Sequence, residues 1–120
     1  MKTFYTFTIL LFISFLSFSQ VVEKEGLYYT TDGKLFTGNH KEYFSPGIIK
    51  AEMSIMNGHL HGITQLYFQN GQVNEIRSYT HGKMDGKWET YNQSGIKIAE
   101  ANFDNGQKHG KWFVWDDNGT

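Results

Sequence analysis

Glycines recur along this chain at a fixed interval of 24 residues. Three series keep that interval without an insertion: Gly38, Gly62, Gly86 and Gly110; Gly47, Gly71, Gly95 and Gly119; and Gly58, Gly82 and Gly106. Other positions follow the same interval: Tyr43, Tyr67, Tyr91 and Trp115; Trp88 and Trp112; and Ile55, Tyr79 and Phe103. A constant period between about 20 and 50 residues is the signature of a repeat array. The chain is therefore expected to consist of copies of one small unit.

The contents of each unit indicate β-structure. The segments ITQLYF, KWETY and KWFVW are short, aromatic and β-branched, and each precedes a glycine-containing turn signal: QNG, NQSG and DDNG. Asn-Gly between such runs is a strong hairpin signal, because glycine accepts the positive φ of a tight turn. No segment places apolar residues at helical spacing, and frequent glycines disfavour helix. The prediction is an all-β fold, an elongated antiparallel meander of β-hairpin repeats in a single-layer sheet.

The period also sets the predicted boundaries. We expect a leader and a degenerate capping repeat over residues 20–37, then repeats over residues 38–61, 62–85 and 86–109 and a partial repeat over residues 110–120. Turn or connection roles are assigned to Gly47, Gly58, Gly62, Gly71, Gly82, Gly86, Gly95, Gly106 and Gly110. The turn at Asn118 and Gly119 has no return strand, so the strand from Lys111 to Trp115 is expected to be a sheet edge.

The first 19 residues have the pattern of a secretory signal peptide. Lys2 precedes an apolar run from Phe4 to Leu16, and small residues at Ser17 and Ser19 suit cleavage before Gln20. The run is shorter than the roughly 20 residues that span a bilayer, which leaves an uncleaved anchor as the alternative. The sequence has no cysteine, which excludes a lipid-anchored lipoprotein and any disulfide. We expect export to a bacterial periplasm or cell surface, with no membrane association after cleavage.

Charge and side-chain inventory argue against several partners and reactions. The formal net charge is −1 and no basic patch is visible, which disfavours nucleic acid and anionic lipid as partners. The stretch GKMDGKW has the glycines and lysine of a phosphate cradle, but it precedes no helix. No nucleophile motif is present, and Glu52 and Glu100 lie two repeats apart, too far for an acid–base pair. Neither enzymatic activity nor a cofactor is expected.

Histidines offer the one candidate for a metal site. His59 and His61 are two residues apart in the connection NGHLHG, so on an extended segment both side chains point the same way. Asp85 or His81 could join them. His109 occupies the repeat position of His61 but lies too many strands away to share an ion. Solvated loop histidines are the alternative, and the prediction is that no metal is bound.

The unit G-x-W-x-x-Y-x-x-x-G followed by E-x-x-Y/F-x-x-G-x-x-x-G resembles the variant MORN repeat. The positions that carry the resemblance are Gly86, Trp88, Tyr91, Gly95, Glu100, Phe103, Gly106, Gly110 and Trp112. Earlier units depart from it, with His40 and Thr64 in the tryptophan position and Ile76 in the glutamate position. The chain looks like the exported bacterial members that are often grouped with the YwqK-type antitoxin-like proteins. The resemblance implies an interaction module without a catalytic residue set.

Aromatic side chains are the candidate binding residues. Trp88 and Tyr91 are three apart on a strand, so they are expected on opposite faces of the sheet. The candidates are Tyr67, Trp88, Tyr91, Trp112 and Trp115. These stripes either form the protein's own core or leave one face as a binding surface.

The function that follows from these features is an exported, non-enzymatic repeat module. We expect it to bind another protein, or a second copy of itself, through an aromatic sheet face or the C-terminal edge strand. One alternative is binding of cell-envelope glycan by the aromatic stripes. A second alternative is an antitoxin or immunity-like role, although a signal peptide would separate the protein from a cytosolic toxin.

Overall fold

The computed structural model describes residues 20–120, and the predicted signal peptide at residues 1–19 lies outside the described residues. The described part contains strands and no helix. The strands are β1 (Val21–Lys24), β2 (Leu27–Thr30), β3 (Gly38–Ser45), β4 (Ile48–Met56), β5 (His59–Tyr67), β6 (Val73–Thr80), β7 (Lys83–Met84), β8 (Gly86–Tyr91), β9 (Lys97–Asp104), β10 (Gln107–Lys108) and β11 (Phe113–Val114). Within residues 20–120 no helix is long and apolar enough to cross a membrane.

Nearly all strands belong to one antiparallel sheet. Its order is β10-β9-β8-β6-β5-β4-β3, with β11 also pairing with β9 and the short β7 pairing with β6. Strands that follow one another in sequence are neighbours in the sheet, as in a meander. The first hairpin, β1–β2, forms a separate two-stranded sheet. The predicted all-β antiparallel meander of hairpins is confirmed.

Each repeat contains two kinds of turn. The tighter one has two central residues, both with positive φ, as in Asn57 (48°) followed by Gly58 (80°). This is the backbone of a type I′ hairpin turn, whose twist matches that of the flanking strands. His81-Gly82 and Asn105-Gly106 repeat it. The segment after Gly58, which the sequence suggested to be a connection, is therefore strand: β5 begins at His59, directly after this tight turn.

The other turn is a longer loop that glycine also closes. Phe68 donates its N–H to the Gln72 carbonyl at 2.8 Å, and Asn92 donates to Ile96 at 2.9 Å, one period later. Gly95 has a φ of 84° in the second of these loops. The structure places positive φ at all the glycines assigned to turns or connections: Gly47, Gly58, Gly62, Gly71, Gly82, Gly86, Gly95, Gly106 and Gly110.

The buried core lies at one end of the sheet. Ala51, Met53 and Ile55 alternate along β4 and are 2%, 6% and 3% exposed. Tyr28 of β2 lies against them, and its hydroxyl is 3.4 Å from the Met53 sulfur. Within residues 20–120 the large sheet is a single layer, and the β1–β2 hairpin covers it over the first repeat. Burial and the nearby carboxylates of Glu23 and Glu42 raise the pKa of Tyr28 to about 12.

Candidate functional site

Strand register assigns every side chain of the large sheet to one of two faces. Antiparallel partners share a face, and alternate residues change face. Trp88 pairs with Ala101, and the next residue, Glu89, pairs with Glu100. We call the side with Trp88 the tryptophan face and the side with Glu89 the tyrosine face. Met53 and Thr64, a partner pair next to Tyr28, belong to the tryptophan face.

Four aromatic rings form a continuous ladder on the tryptophan face. They are Tyr79 of β6, Trp88 of β8, Phe103 of β9 and Trp112, the residue before β11. Ring centroids are 5.8 Å apart from Tyr79 to Trp88, 5.1 Å from Trp88 to Phe103 and 5.6 Å from Phe103 to Trp112. Successive rings are tilted by 53° to 57°, and their centroid separations lie in the range of favourable aromatic pairs. The ladder is thus one connected apolar surface.

Two cations lie over rings of the ladder. The Arg77 guanidinium is 4.9 Å from the Trp88 ring centroid, and the Lys108 ammonium is 4.0 Å from that of Trp112. Both distances are within the range of cation–π attraction. The Trp88 indole N–H also donates to the Ser78 carbonyl at 3.3 Å. Trp88 is therefore held from several sides, whereas Trp112 is 45% exposed.

On the tyrosine face, tyrosines that recur every 24 residues form hydrogen bonds with polar side chains two residues away. The Tyr67 hydroxyl donates to Gln65 at 2.6 Å, and the Tyr91 hydroxyl donates to Glu89. Trp115 stacks on Phe113 with centroids 5.7 Å apart and an interplanar angle of 15°. Each of these three side chains contacts a residue two positions away along the chain, so they do not form a connected ladder.

Charged side chains around Tyr91 form a network. Lys97 Nζ is 2.7 Å from Glu100 and 3.1 Å from Glu89, and Lys87 Nζ is 3.2 Å from the other Glu100 oxygen. The hydrogen bond from Tyr91 is the largest cause of the lowered pKa of Glu89; burial opposes it, and the hydrogen bond and charge of Lys97 lower the pKa further. Hydrogen bonds from Lys97 and Lys87 lower the pKa of Glu100, and the bond to Glu100 raises the pKa of Lys97. The network therefore holds both carboxylates ionised.

One of the two candidate metal-ligating histidines accepts a backbone hydrogen bond. His61 lies on β5, and its Nδ1 accepts the backbone N–H of His81 at 3.1 Å, with the two rings 4.7 Å apart. One period earlier Thr37 Oγ1 accepts from Asn57 at 2.9 Å, and one period later Asp85 lies 3.5 Å from the Asn105 nitrogen. All three copies of this position therefore carry a hydrogen-bond acceptor that faces the N–H of a tight turn. Residues 20–120 contain no group of three or more side chains able to hold a metal ion.

The structure brings together only part of the predicted binding set. Trp88 and Trp112 join through Phe103, whereas Tyr67, Tyr91 and Trp115 lie on the other face. Sequence reasoning left four members of the tryptophan face out of the site: Arg77, Tyr79, Phe103 and Lys108. The 24-residue interval of Tyr79 and Phe103 was visible, but the register that sets them beside the tryptophans was not.

These features define the class of the protein: an antiparallel β-hairpin repeat with an aromatic face. Residues 60–81 and 84–105 each match the family model of the MORN repeat variant. The two matches are one 24-residue period apart and confirm the resemblance to this repeat. They do not show that the chain belongs to the exported YwqK-type subgroup. Proteins of this repeat family are typically non-catalytic, and their repeats are generally modules for interaction with proteins or membranes. Comparisons with curated proteins and with solved structures gave no match.

Proposed function

We propose that this chain is a non-enzymatic module that binds another protein through the part of the tryptophan face that its own hairpin leaves uncovered. The observation that carries the proposal is that equivalent positions of the repeats differ in how far the β1–β2 hairpin buries them. Ile55 is 3% exposed under the hairpin, whereas Tyr79 and Phe103, its equivalents one and two periods later, are half-buried and end in the exposed Trp112.

The composition of this uncovered part suits a protein interface. Aromatic side chains and arginine are enriched at the centres of such interfaces. Arg77 lies over Trp88 within the ladder. Apolar surface with a polar rim marks interaction sites, and Lys108 lies at the Trp112 end of the ladder. The ladder is also held in place before binding by its own ring contacts. Ordering it on binding therefore costs little conformational entropy.

The tilt of the rings favours protein over glycan as the ligand. Stacking of sugar rings on a row of aromatic side chains needs flat ring faces turned outward. The ladder rings are tilted by 53° to 57°, and the faces of Trp88 and Trp112 already meet Arg77 and Lys108. An interface of side chains can fill such an uneven surface more readily than a chain of pyranose rings.

Two neighbouring substitutions test the proposal. Trp112 and Phe113 are 45% and 44% exposed and lie on opposite faces. We expect Trp112→Ala to weaken capture of the native partner by roughly tenfold or more, as for a central interface aromatic. The matched Phe113→Ala should change it little. Equal capture by both variants, each folded by circular dichroism, would refute the tryptophan face as the binding surface. Saturable binding to envelope polysaccharide that Trp112→Ala removes would instead favour the glycan alternative.

We also propose that the protein acts after export, at a periplasm or cell surface. The support is the sequence pattern that ends at Ser17 and Ser19. Intact-mass measurement on protein from the native envelope should give a chain that begins at Gln20 or at its cyclised form. Recovery of the chain with Met1 from the membrane fraction would contradict cleavage.

A further inference from the structure

The contact between the β1–β2 hairpin and the sheet provides a template for how the tryptophan face can be covered. Tyr28 packs over Met53, and its backbone N–H donates to the Gly58 carbonyl at 2.9 Å. Val21 packs on the same cluster, and Ala51, at 2% exposed, lies beneath. The hairpin thus inserts apolar side chains over β4 and anchors its backbone at the tight turn.

The same set of positions recurs two periods later without a cover. Ala51, Met53 and Ile55 become Ala99, Ala101 and Phe103. The flanking positions His40 and Thr64 become Trp88 and Trp112, and Gly58 becomes Gly106. Ala101 replaces the longer Met53, so the side chain at the centre of the set is shorter in the third repeat.

Within residues 20–120, the third repeat also has a backbone carbonyl that accepts no backbone hydrogen bond and a lysine that forms no ion pair. Within residues 20–120, no backbone N–H donates to the Gly106 carbonyl, the equivalent of the Gly58 carbonyl that Tyr28 uses. Lys108 lies over Trp112 and forms no ion pair with any described side chain. On the chain's own hairpin, Tyr28 and the carboxylate of Glu23 are cross-strand partners on one face. A segment with that pair would complement both features.

We infer that the partner docks a β-hairpin on the third repeat in the way the chain's own hairpin docks on the first. Its aromatic side chain lies over Ala99 and Ala101 between Trp88 and Trp112, and a cross-strand carboxylate meets Lys108. This inference rests on the proposed function and specifies the chemistry of the partner. The uncovered part of the tryptophan face is continuous with the covered part, and the charge of Lys108 complements a carboxylate.

A displayed library of disulfide-closed hairpins of about 14 residues, selected against the purified protein, tests the inference. We expect the selected hairpins to carry an aromatic residue and an aspartate or glutamate on one face. Lys108→Glu should weaken their binding by roughly tenfold, the loss typical of a close charge pair turned repulsive. Because Lys108 is exposed, this variant should fold, which circular dichroism would verify. Ala101→Lys should also weaken binding, and Ile63→Lys, exposed on the tyrosine face, is the control.

Backbone amide shifts of the unmodified protein on titration with one selected hairpin give a second readout. Shifts concentrated at Ala99, Ala101, Gly106 and the Trp112 indole support the inference. Selected hairpins that lack the aromatic–acidic pair, or that bind Lys108→Glu as tightly as the original, overturn it. If native-partner capture still depends on Trp112 in that case, the proposed protein-binding function stands. If Trp112 has no effect on capture, the proposed function itself fails.

Discussion

Gly95 is a residue whose identity is restricted by backbone geometry, because its φ of 84° is costly for any residue with a Cβ. An added Cβ would be 3.5 Å from the Gln72 side chain, an ordinary contact, so space is not the restriction. The constraint at this position is conformational.

We therefore expect Gly95→Val to lower the free energy of unfolding by about 1–2 kcal/mol through backbone strain. Gln93→Ala, in the same loop, should change it by a few tenths, since its Asn70 partner uses only the Gln93 carbonyl. Denaturant unfolding of both variants measures the difference. Similar midpoints would show that the loop does not depend on positive φ.

The acceptor position before each repeat gives a second test on the residue scale. His61→Thr should keep an acceptor for the His81 N–H, as Thr37 does for Asn57. His61→Val has nearly the same shape without that acceptor, so it should be less stable than His61→Thr by about 0.5–1.5 kcal/mol. Equal unfolding midpoints for this isosteric pair would show that the hydrogen bond contributes nothing.

Single strands are where sequence and structure are easiest to compare. The turn glycines and the alternation of KWETY were sufficient to predict hairpins and to put Trp88 and Tyr91 on opposite faces. The position of β5 was harder to predict, because Asn57-Gly58 followed closely by Gly62 looks like a flexible connection. Whether such a segment forms a loop or a strand depends on partners in β4 and β6, which no local pattern specifies.

The charged network across β8 and β9 predicts how stability varies with pH. A lowered folded-state pKa means that Glu89 and Glu100 contribute fully above the unfolded-state value of about 4.5. That contribution is lost as the pH falls through the lower folded-state pKa. Lys97 remains charged throughout this window, so Lys97→Met should reduce the loss of stability between pH 5 and pH 3. Thermal unfolding at several pH values measures it. An unchanged pH dependence in Lys97→Met would exclude Lys97 as the cause.

The β11 edge offers a second proposed route of association. Trp115 donates its N–H to the Ile98 carbonyl at 2.8 Å, so in the alternating antiparallel pattern the Val114 N–H faces away from β9. Val114 is 83% exposed, whereas β3, at the other edge, carries bulges that discourage pairing. Val114→Pro should leave β11 paired with β9 and weaken strand addition from a second copy or a partner. Sedimentation and crosslinking near Trp115 measure this. Association that persists in Val114→Pro would rule out this edge.

On the scale of the whole molecule, each repeat is expected to be stabilised mainly by the adjacent repeats, because within residues 20–120 each strand of the large sheet pairs only with its neighbours. Tyr28→Ala should remove about 3–5 kcal/mol of local stability, as for other buried aromatics. Hydrogen exchange should then rise mainly in β3 to β5 and much less in β8 and β9. Tyr43→Ala, at a tyrosine that is 52% exposed, is the control. Equal loss of protection along the whole sheet would mean that the repeats unfold as one unit.

The candidate site could be predicted from the sequence only in part. The tryptophans were found from their period, but Tyr79 and Phe103 gain their role only from strand register. A capping repeat over residues 20–37 was expected, but its cover of the tryptophan face was not, since that depends on the tertiary contacts of Tyr28 with Met53 and Gly58. It is this cover that separates the buried part of the tryptophan face from its uncovered part.

The recurring acceptor at Thr37, His61 and Asp85 has a consequence for how such a chain can change over generations. In each repeat a backbone N–H of the tight turn donates to the last residue of the preceding repeat, 20 residues earlier in the chain. Each tight turn lies at the same position in its repeat. Duplication or loss of a 24-residue block through unequal recombination would keep every tight turn intact and would leave each of these N–H donors with an acceptor. The sheet would lengthen or shorten by two strands, about 9.5 Å. Gene length could therefore tune the reach of the aromatic ladder while the Tyr28 hairpin stays unaltered at its end.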